Sequence, residues 1–348
     1  MKIDNRLINT QSKCLIVAEL SANHNQKKDV AIKTIHAAAK AGADAIKLQT
    51  YTPDTMTLNC HNEYFQLNHG TPWDGQYLYD LYKEAYTPWE WHDELFKVAR
   101  EEGLICFSSP FDPTAVDFLE ELDNPAIKIA SFEIQDIPLI RYAASKGKPM
   151  ILSTGIAELK DIELAVKTCR EAGNNQIALL KCTSSYPAPI DQANLKTIPN
   201  LQETFNVVPG LSDHTLGATV AVTSIPLGAK IIEKHFILDH DQGGPDAKFS
   251  MDPQEFGDMV RQVRDAEEAL GTVNYELSEQ QKRSREITGR SLFITKDLKK
   301  GDVLTEDNVR SVRPGYGMEP KEFDWVLGKE VNQDLEKGRP LNEKFIRL

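Results

Sequence analysis

The chain has 348 residues, of which 41% are hydrophobic and 26% charged, so it carries enough apolar material for a large core and lacks the composition of a disordered protein. Its 40 Lys and Arg residues against 52 Asp and Glu residues give a net charge of −12, which opposes binding to nucleic acids and to anionic membranes. We find neither the apolar run of a signal peptide nor the roughly 20 apolar residues of a membrane span, and we therefore expect a cytoplasmic protein.

Short runs of β-branched and apolar residues alternate with amphipathic stretches, which is typical of a parallel sheet built from β–α units. Eight parallel strands favour closure into a (β/α)8 TIM barrel, of the α/β class, over an open sheet. The eight predicted strands are residues 14–20, 43–49, 104–109, 126–131, 150–154, 177–183, 207–212 and 229–236.

Helices are predicted between these strands, several of them opening with Pro and followed by Gly at the position of a C-terminal cap. They are residues 30–40, 88–102, 113–122, 138–146 and 158–172. Residues 52–87 interrupt this alternation, and we interpret them as an inserted loop after strand 2 that shapes the substrate pocket.

The pattern changes after Gly271, where a charged stretch precedes short strands and turns. We therefore predict a barrel domain over residues 1–272, a linker over 273–287 and a small β-rich domain over 288–348.

Lysines stand at the C-terminal ends of four predicted barrel strands, where barrel enzymes carry their chemistry. A buried lysine requires a compensating anion, and neighbouring serine and threonine hydroxyls suit a phosphate or a carboxylate. Each lysine alone could instead reach solvent or pair with a glutamate. The four are Lys47, Lys128, Lys181 and Lys234.

His214 and His235 end strands 7 and 8, which are neighbours in a closed barrel. Both imidazoles can therefore reach one divalent ion and leave positions open for substrate. Glu19 and Glu133 follow apolar strands and are candidates for general acid or base, although ion pairs with strand lysines are an equal alternative. Asp246 lies in GGPDAKFS, a segment that either covers the pocket or is a plain surface loop.

Nine motifs spread over the chain resemble the sialic acid synthase family. They are AELSANH, ADAIKLQT, CFSSPF, KIASFE, ILSTG, KCTSSYP, GLSDHT, IEKHF, and GRSL followed by KKGDVL. Within the family, QTYTPD, KIASFE and KCTSSYP look most like the pseudaminic acid synthases. The resemblance implies a phosphoenolpyruvate (PEP)-binding barrel followed by an antifreeze-like SAF domain that swaps across a homodimer.

Carried over position by position, the resemblance implies a full set of site residues. Catalysis falls to Glu133 and Glu19, and metal binding to His214 and His235. The remaining positions imply PEP binding by Lys47, Ser109, Lys128, Ser131, Ser153, Ser184 and Ser212, and sugar binding by Glu19, Gln49, Tyr186, Asp246 and Arg313, the last from the partner's SAF domain. Ser184 stands where the family commonly has Asn.

The expected activity is condensation of PEP with an open-chain amino-sugar aldehyde, 2,4-diacetamido-2,4,6-trideoxy-L-altrose, to give pseudaminic acid and phosphate by C–O cleavage. The expected cofactor is a divalent ion, Mn²⁺, with Mg²⁺ or Co²⁺ as alternatives. Neuraminic or legionaminic acid synthesis, a Schiff-base aldolase and a non-catalytic carbohydrate-binding protein are the competing hypotheses.

Overall fold

The computed structural model describes residues 1–68, 70 and 73–347, and the chain divides into two compact units, Met1–Gly271 and Thr272–Leu348. Residues 69, 71 and 72 of the predicted insertion and residue 348 of the predicted C-terminal domain lie outside the described residues. Each unit has its own hydrophobic core.

The first unit is a short N-terminal hairpin followed by a closed barrel of eight parallel strands, which confirms the predicted fold class. The first and last barrel strands pair in parallel, with Glu19 aligned with His235, and this pairing closes the barrel. The hairpin strands are β1 (Lys2–Ile3) and β2 (Arg6–Leu7), and the barrel strands are β3 (Leu15–Glu19), β4 (Ala45–Thr50), β5 (Ile105–Pro110), β6 (Ile127–Ile129), β7 (Met150–Ser153), β8 (Ile177–Cys182), β9 (Val208–Asp213) and β10 (Ile231–His235).

Helices surround the barrel and include all five that the sequence predicts. The first unit contains α1 (Lys28–Lys40), α2 (Pro53–Met56), α3 (Leu78–Ala85), α4 (His92–Glu101), α5 (Pro113–Glu121), α6 (Ile137–Ser145), α7 (Leu159–Glu171), α8 (Thr197–Phe205), α9 (Thr219–Ser224) and α10 (Pro253–Leu270). The sequence pattern predicts no helix after strand 6. The residues of α9, TVAVTS, are largely β-branched and have low helix propensity, so its packing on α10 and β9 decides its conformation.

The barrel interior is apolar at its N-terminal end and polar at its C-terminal end. Ile3 and Ile8 belong to the same buried cluster as the inward-facing Leu15, Phe107 and Ile151, so the N-terminal segment closes the bottom of the barrel. Because strand side chains alternate between two faces, Glu19, Ser109 and Ser153, which follow these residues by two or four positions, also point inward.

The second unit contains α11 (Glu279–Thr288), β11 (Ser291–Ile294), β12 (Val309–Val312) and α12 (Phe323–Val326). The strands β11 and β12 pair antiparallel over a core that includes Leu292, Val309 and Leu341. Helix α11 occupies most of the segment predicted as a linker. Within the described residues, no helix is long and apolar enough to cross a membrane.

Candidate active site

Two lysines and two glutamates meet inside the C-terminal half of the barrel. The Nζ atom of Lys47 lies 2.7 Å from Glu233 Oε1 and 3.0 Å from Glu19 Oε2. Lys128 Nζ lies 3.9 Å from the same Glu233 oxygen and donates to the carbonyl of Ile129 at 3.0 Å. All four side chains are buried, so their charges interact strongly.

Burial and the attraction between opposite charges have opposing effects on the pKa of each side chain in this group. Burial raises the pKa of Glu19 to about 7, although Lys47 opposes the shift. Burial also lowers the pKa of Lys128 to about 8, with partial compensation by Glu233. Lys128 therefore carries a cation that the protein compensates incompletely, which favours a bound anion beside it.

Serine hydroxyls lie around these charges at the ends of neighbouring strands. Among the described residues, the buried hydroxyls of Ser109 and Ser153 have no hydrogen-bond partner. Ser212 Oγ donates to Glu233 Oε1 at 3.3 Å. Buried polar groups in native proteins are nearly always bonded, so these free hydroxyls indicate a ligand that completes them.

Gly155 brings two further predicted hydroxyls together. Its backbone N–H donates to Ser131 Oγ at 3.1 Å, and a Cβ atom on Gly155 would clash with Ser184 Oγ and lie 2.7 Å from Ser131 Oγ. Only a residue without a side chain permits these hydroxyls to approach so closely.

We expect Gly155→Ala to lower the free energy of unfolding by about 1–3 kcal/mol, because the methyl group overpacks this site. Urea denaturation measures the change. Gly257→Ala, within α10, is the matched control, since the atom nearest to the added Cβ would be the carbonyl oxygen of Ala41 at 3.6 Å, and there we expect unchanged or increased stability. Equal losses in both variants would contradict the close approach at Gly155.

The two predicted metal ligands lie beside each other at the mouth of the barrel. The ring centroids of His214 and His235 are 5.4 Å apart. His214 Nδ1 donates to the carbonyl of Thr183 at 3.0 Å, which leaves Nε2 with a lone pair. His235 Nδ1 is buried without a hydrogen-bond partner in the described residues.

The electrostatics of His235 also fit a metal ligand. Burial lowers its pKa well below the ordinary value, and the neighbouring His214 and Lys47 reinforce the shift. The imidazole is therefore neutral and keeps a lone pair available at physiological pH. This unpartnered nitrogen beside a second oriented imidazole fits a divalent ion.

Another cluster of potential ligands lies at the surface, where His240, Asp252 and Glu255 bring their ligand atoms within 4.8 Å of one another. Asp252 and Glu255 form the capping box of α10. His240 Nε2 lies 3.2 Å from Glu255 Oε2. Each group already has a structural partner, so we interpret this cluster as a helix cap.

Beside the histidines a cavity of about 390 Å³ opens at the C-terminal face of the barrel, and predicted residues line it. They are Gln49, Ser131, Glu133, Tyr186, His235 and Asp246. Gln49 Nε2 donates to Glu19 Oε1 at 3.1 Å and to Ser21 Oγ at 3.0 Å, and Ser21 in turn donates to Asp246. Burial raises the pKa of Glu133 to about 7, so this carboxyl can exchange a proton near neutrality.

Two of the four strand-end lysines point away from this interior. Lys234 is fully buried in an ion pair with Asp213 at 2.7 Å, and Lys181 donates to the carbonyl of Cys182 at 2.7 Å. Each occupies the outward register of its strand, whereas Lys47 and Lys128 occupy the inward one. Arg313 is exposed in the second unit.

Two further residues point into the barrel, although the strand-end pattern does not predict them as site residues. Glu233 shares the inward register of His235 two positions later, so alternation along β10 was the signal that could have found it. Cys182 lies 3.8 Å from His214 Nδ1. Burial opposes ionisation of this thiol, but the hydrogen bond with His214 brings its pKa down to about 7.

A closed (β/α)8 barrel with buried lysines, unpartnered hydroxyls, two imidazoles and a carboxyl of raised pKa at its C-terminal face has the features of a barrel enzyme. Residues 34–275 match the NeuB family and residues 289–347 match the SAF domain. The chain belongs to the NeuB family.

Similar proteins cover the chain along its whole length. Pseudaminic acid synthase from Campylobacter jejuni is 47% identical over 100% of both chains. N,N'-diacetyllegionaminic acid synthase from Legionella pneumophila is 34% identical over 94% of this chain and 93% of its own. The crystal structure of spore coat polysaccharide biosynthesis protein spsE from Bacillus subtilis is 33% identical, with a TM-score of 0.68 over 100% of this chain and 99% of that one.

Proposed function

We propose that the chain is a pseudaminic acid synthase, which condenses PEP with an open-chain 2,4-diacetamido-2,4,6-trideoxy-L-altrose and releases phosphate. The observation that carries the proposal is the buried group of Lys47, Lys128 and the unpartnered hydroxyls of Ser109 and Ser153 beside two imidazoles. This arrangement suits an anion that carries both phosphate and carboxylate. The 47% identity to a pseudaminic acid synthase supports this sugar over the legionaminic and neuraminic series.

The proposal gives each of the site residues a part in the reaction. Lys47 and Lys128, with Ser109, Ser131, Ser153, Ser184 and Ser212, would hold the anionic groups of PEP. His214 and His235 would bind a divalent ion, Mn²⁺ with Mg²⁺ or Co²⁺ as alternatives, which supplies Lewis acidity toward the sugar aldehyde. The neutral imidazole of His235 beside the oriented imidazole of His214 is compatible with each of these ions.

Glu133 would move protons between the two bond-forming events. As C3 of PEP attacks the aldehyde carbon, the carboxyl gives its proton to the aldehyde oxygen. The resulting carboxylate then takes a proton from the water that adds to C2 of the PEP moiety. Breakage of the C2–O bond expels phosphate, the remaining proton of the C2 hydroxyl passes to that phosphate, and the 2-keto acid is left, while Lys128 stabilises the departing charge.

The remaining assignments concern the sugar and the partner subunit. Glu19, Gln49, Tyr186 and Asp246 would contact the sugar. The match of residues 289–347 to the SAF domain supports the further proposal of a domain-swapped homodimer in which the partner subunit's Arg313 completes the site.

We expect His214→Ala to reduce Mn²⁺-dependent phosphate release from PEP by more than about 100-fold, since even the groups that orient metal ligands contribute about 10–100-fold. Calorimetric titration of the protein with Mn²⁺ gives a second measurement that is independent of turnover. His36→Ala, which changes an exposed histidine paired with Glu102, is the matched control. Chelator-resistant activity of the unmodified protein would show that the metal assignment is wrong.

A further inference from the structure

The cavity beside the histidines has two chemically different sides. One side carries Gln49, Glu133 and His235, which can form hydrogen bonds or exchange protons. The other side is formed by side chains from the inserted segment, where five apolar side chains lie beside Tyr82 and Trp73. We call these five the apolar wall. It consists of Met56, Leu67, Leu78, Leu81 and Ala85.

The apolar wall is held in place by contacts across the insertion. Helix α2 packs against α3, and Leu67 N and Leu78 N donate to the carbonyls of Gln76 and Phe65, both at 2.9 Å. These bonds flank the Gln66–Tyr77 bridge, so Leu67 and Leu78 are diagonal neighbours on one face of the pairing. The wall is therefore a fixed surface, as specificity between similar substrates requires.

Aromatic residues connect this surface to the barrel. Tyr51, which follows β4, makes edge contacts with Tyr82 and Phe111 at 5.8 and 5.2 Å between ring centroids. Trp73 donates from Nε1 to the carbonyl of Pro245 at 3.1 Å, so the insertion also meets the segment that carries Asp246. The insertion thus closes one side of the cavity.

The side chains of the wall face the cavity. Met56, Leu67 and Leu78 are half-buried and line its space. None of the five wall side chains has an oxygen or nitrogen atom, so they offer no strong hydrogen bond to a polar ligand group. A hydroxyl placed against them would lose its bonds to water without replacement.

The position of the chemistry determines which end of a sugar reaches this wall. The aldehyde carbon has to lie at the histidines and Glu133, on the polar side. Acetamido groups carry an N–H and a carbonyl that need partners, which the polar side offers. The far end of the open chain, C6, is the part of a 6-deoxy sugar that needs no partner.

We propose that the apolar wall binds the C6 methyl group of the amino sugar and so selects 6-deoxy acceptors over acceptors that carry a hydroxyl at C6. The inference rests on the proposed synthase function and assigns its acceptor specificity to the inserted segment. Hydrophobic pockets discriminate against an added hydroxyl by about 100-fold in kcat/KM, which sets the expected preference.

The test compares two acceptors that differ only at C6: 2,4-diacetamido-2,4,6-trideoxyhexose and the same sugar with a 6-hydroxyl group. Phosphate release with saturating PEP gives kcat/KM for each. We expect Leu78→Gln to reduce the roughly 100-fold preference to tenfold or less, because Gln supplies hydrogen bonds to the hydroxyl. KM for PEP should stay unchanged. Leu67→Gln is a second variant on the same wall.

Leu164→Gln is the matched control, since Leu164 is exposed on α7 and its replacement should leave the preference intact. An unchanged preference in both wall variants, or a preference near one in the unmodified protein, would overturn the inference while the synthase function stands. Failure of the unmodified protein to release phosphate with either sugar would instead reject the synthase function itself.

Discussion

Replacing Glu133 with Gln is expected to lower kcat by about 10²–10⁴-fold, the range that a general acid or base contributes. Gln keeps the size of the side chain and its ability to hydrogen bond, but it cannot transfer a proton. Because Glu133 Oε2 has no partner in the described residues, the substitution breaks no hydrogen bond at that oxygen. Steady-state phosphate release measures the loss, and KM for PEP should change little.

The pH dependence gives this prediction a second measurement. Burial raises the pKa of Glu133 from its ordinary value of 4.5 to about 7, so the protonated form that starts the reaction disappears as pH rises above 7. We therefore expect kcat of the unmodified enzyme to fall on the alkaline side of about pH 7. In Glu133→Gln the residual rate should lose the decline near pH 7, and only the decline above about pH 8 that follows loss of the Lys128 cation should remain.

The free energy of unfolding should also depend on the ionisation of Glu133. The folded protein binds the Glu133 proton more tightly than the unfolded chain does, so this group's contribution to stability declines as pH rises from 4.5 to about 7. Gln cannot ionise and removes the decline. A full alkaline limb in the Gln variant, together with near-normal kcat, would exclude Glu133 as the proton-transfer group.

The barrel and much of its candidate site follow from the sequence because position along a strand carries information. Strand periodicity places Lys47, His214 and His235 at the C-terminal face. Position at a strand end does not by itself distinguish inward from outward side chains. The predicted site lysines therefore included Lys234, and Glu233 was not predicted as a site residue. Alternation relative to His235 distinguishes the two.

The cavity wall could not be predicted in the same way. The hydrogen bond from Trp73 to Pro245 joins residues 172 positions apart, and no local pattern encodes it. Residues 52–87 have no regular period, so the sequence indicated an insertion near the pocket without showing which of its side chains line the cavity. The apolar character of that side emerges from tertiary packing.

Lys128 and Lys234 form a natural pair for separating substrate binding from stability, because each is 1% exposed and they face opposite sides of the barrel wall. We expect Lys128→Met to raise KM for PEP by roughly 10²–10³-fold, since it removes a buried cation from the anion site. Its free energy of unfolding should change by no more than about 1 kcal/mol, because the exchange nearly conserves volume and relieves a desolvated charge.

Lys234→Met should show the opposite result. It leaves the carboxylate of Asp213 buried without its 2.7 Å cation and removes the donor to the carbonyls of Thr215 and Gly217. Loss of one partner of a buried pair destabilises by about 3–5 kcal/mol, which urea denaturation would detect. The protein that remains folded should keep a KM for PEP close to normal.

A double variant tests the cause of that instability. Asp213→Leu combined with Lys234→Met removes both charges, and we expect it to recover much of the lost stability because no unpaired ion remains. Stability of the double variant no better than that of Lys234→Met would show that packing, rather than the buried carboxylate, dominates. Equal effects of Lys128→Met and Lys234→Met on KM for PEP would contradict the division between inward and outward lysines.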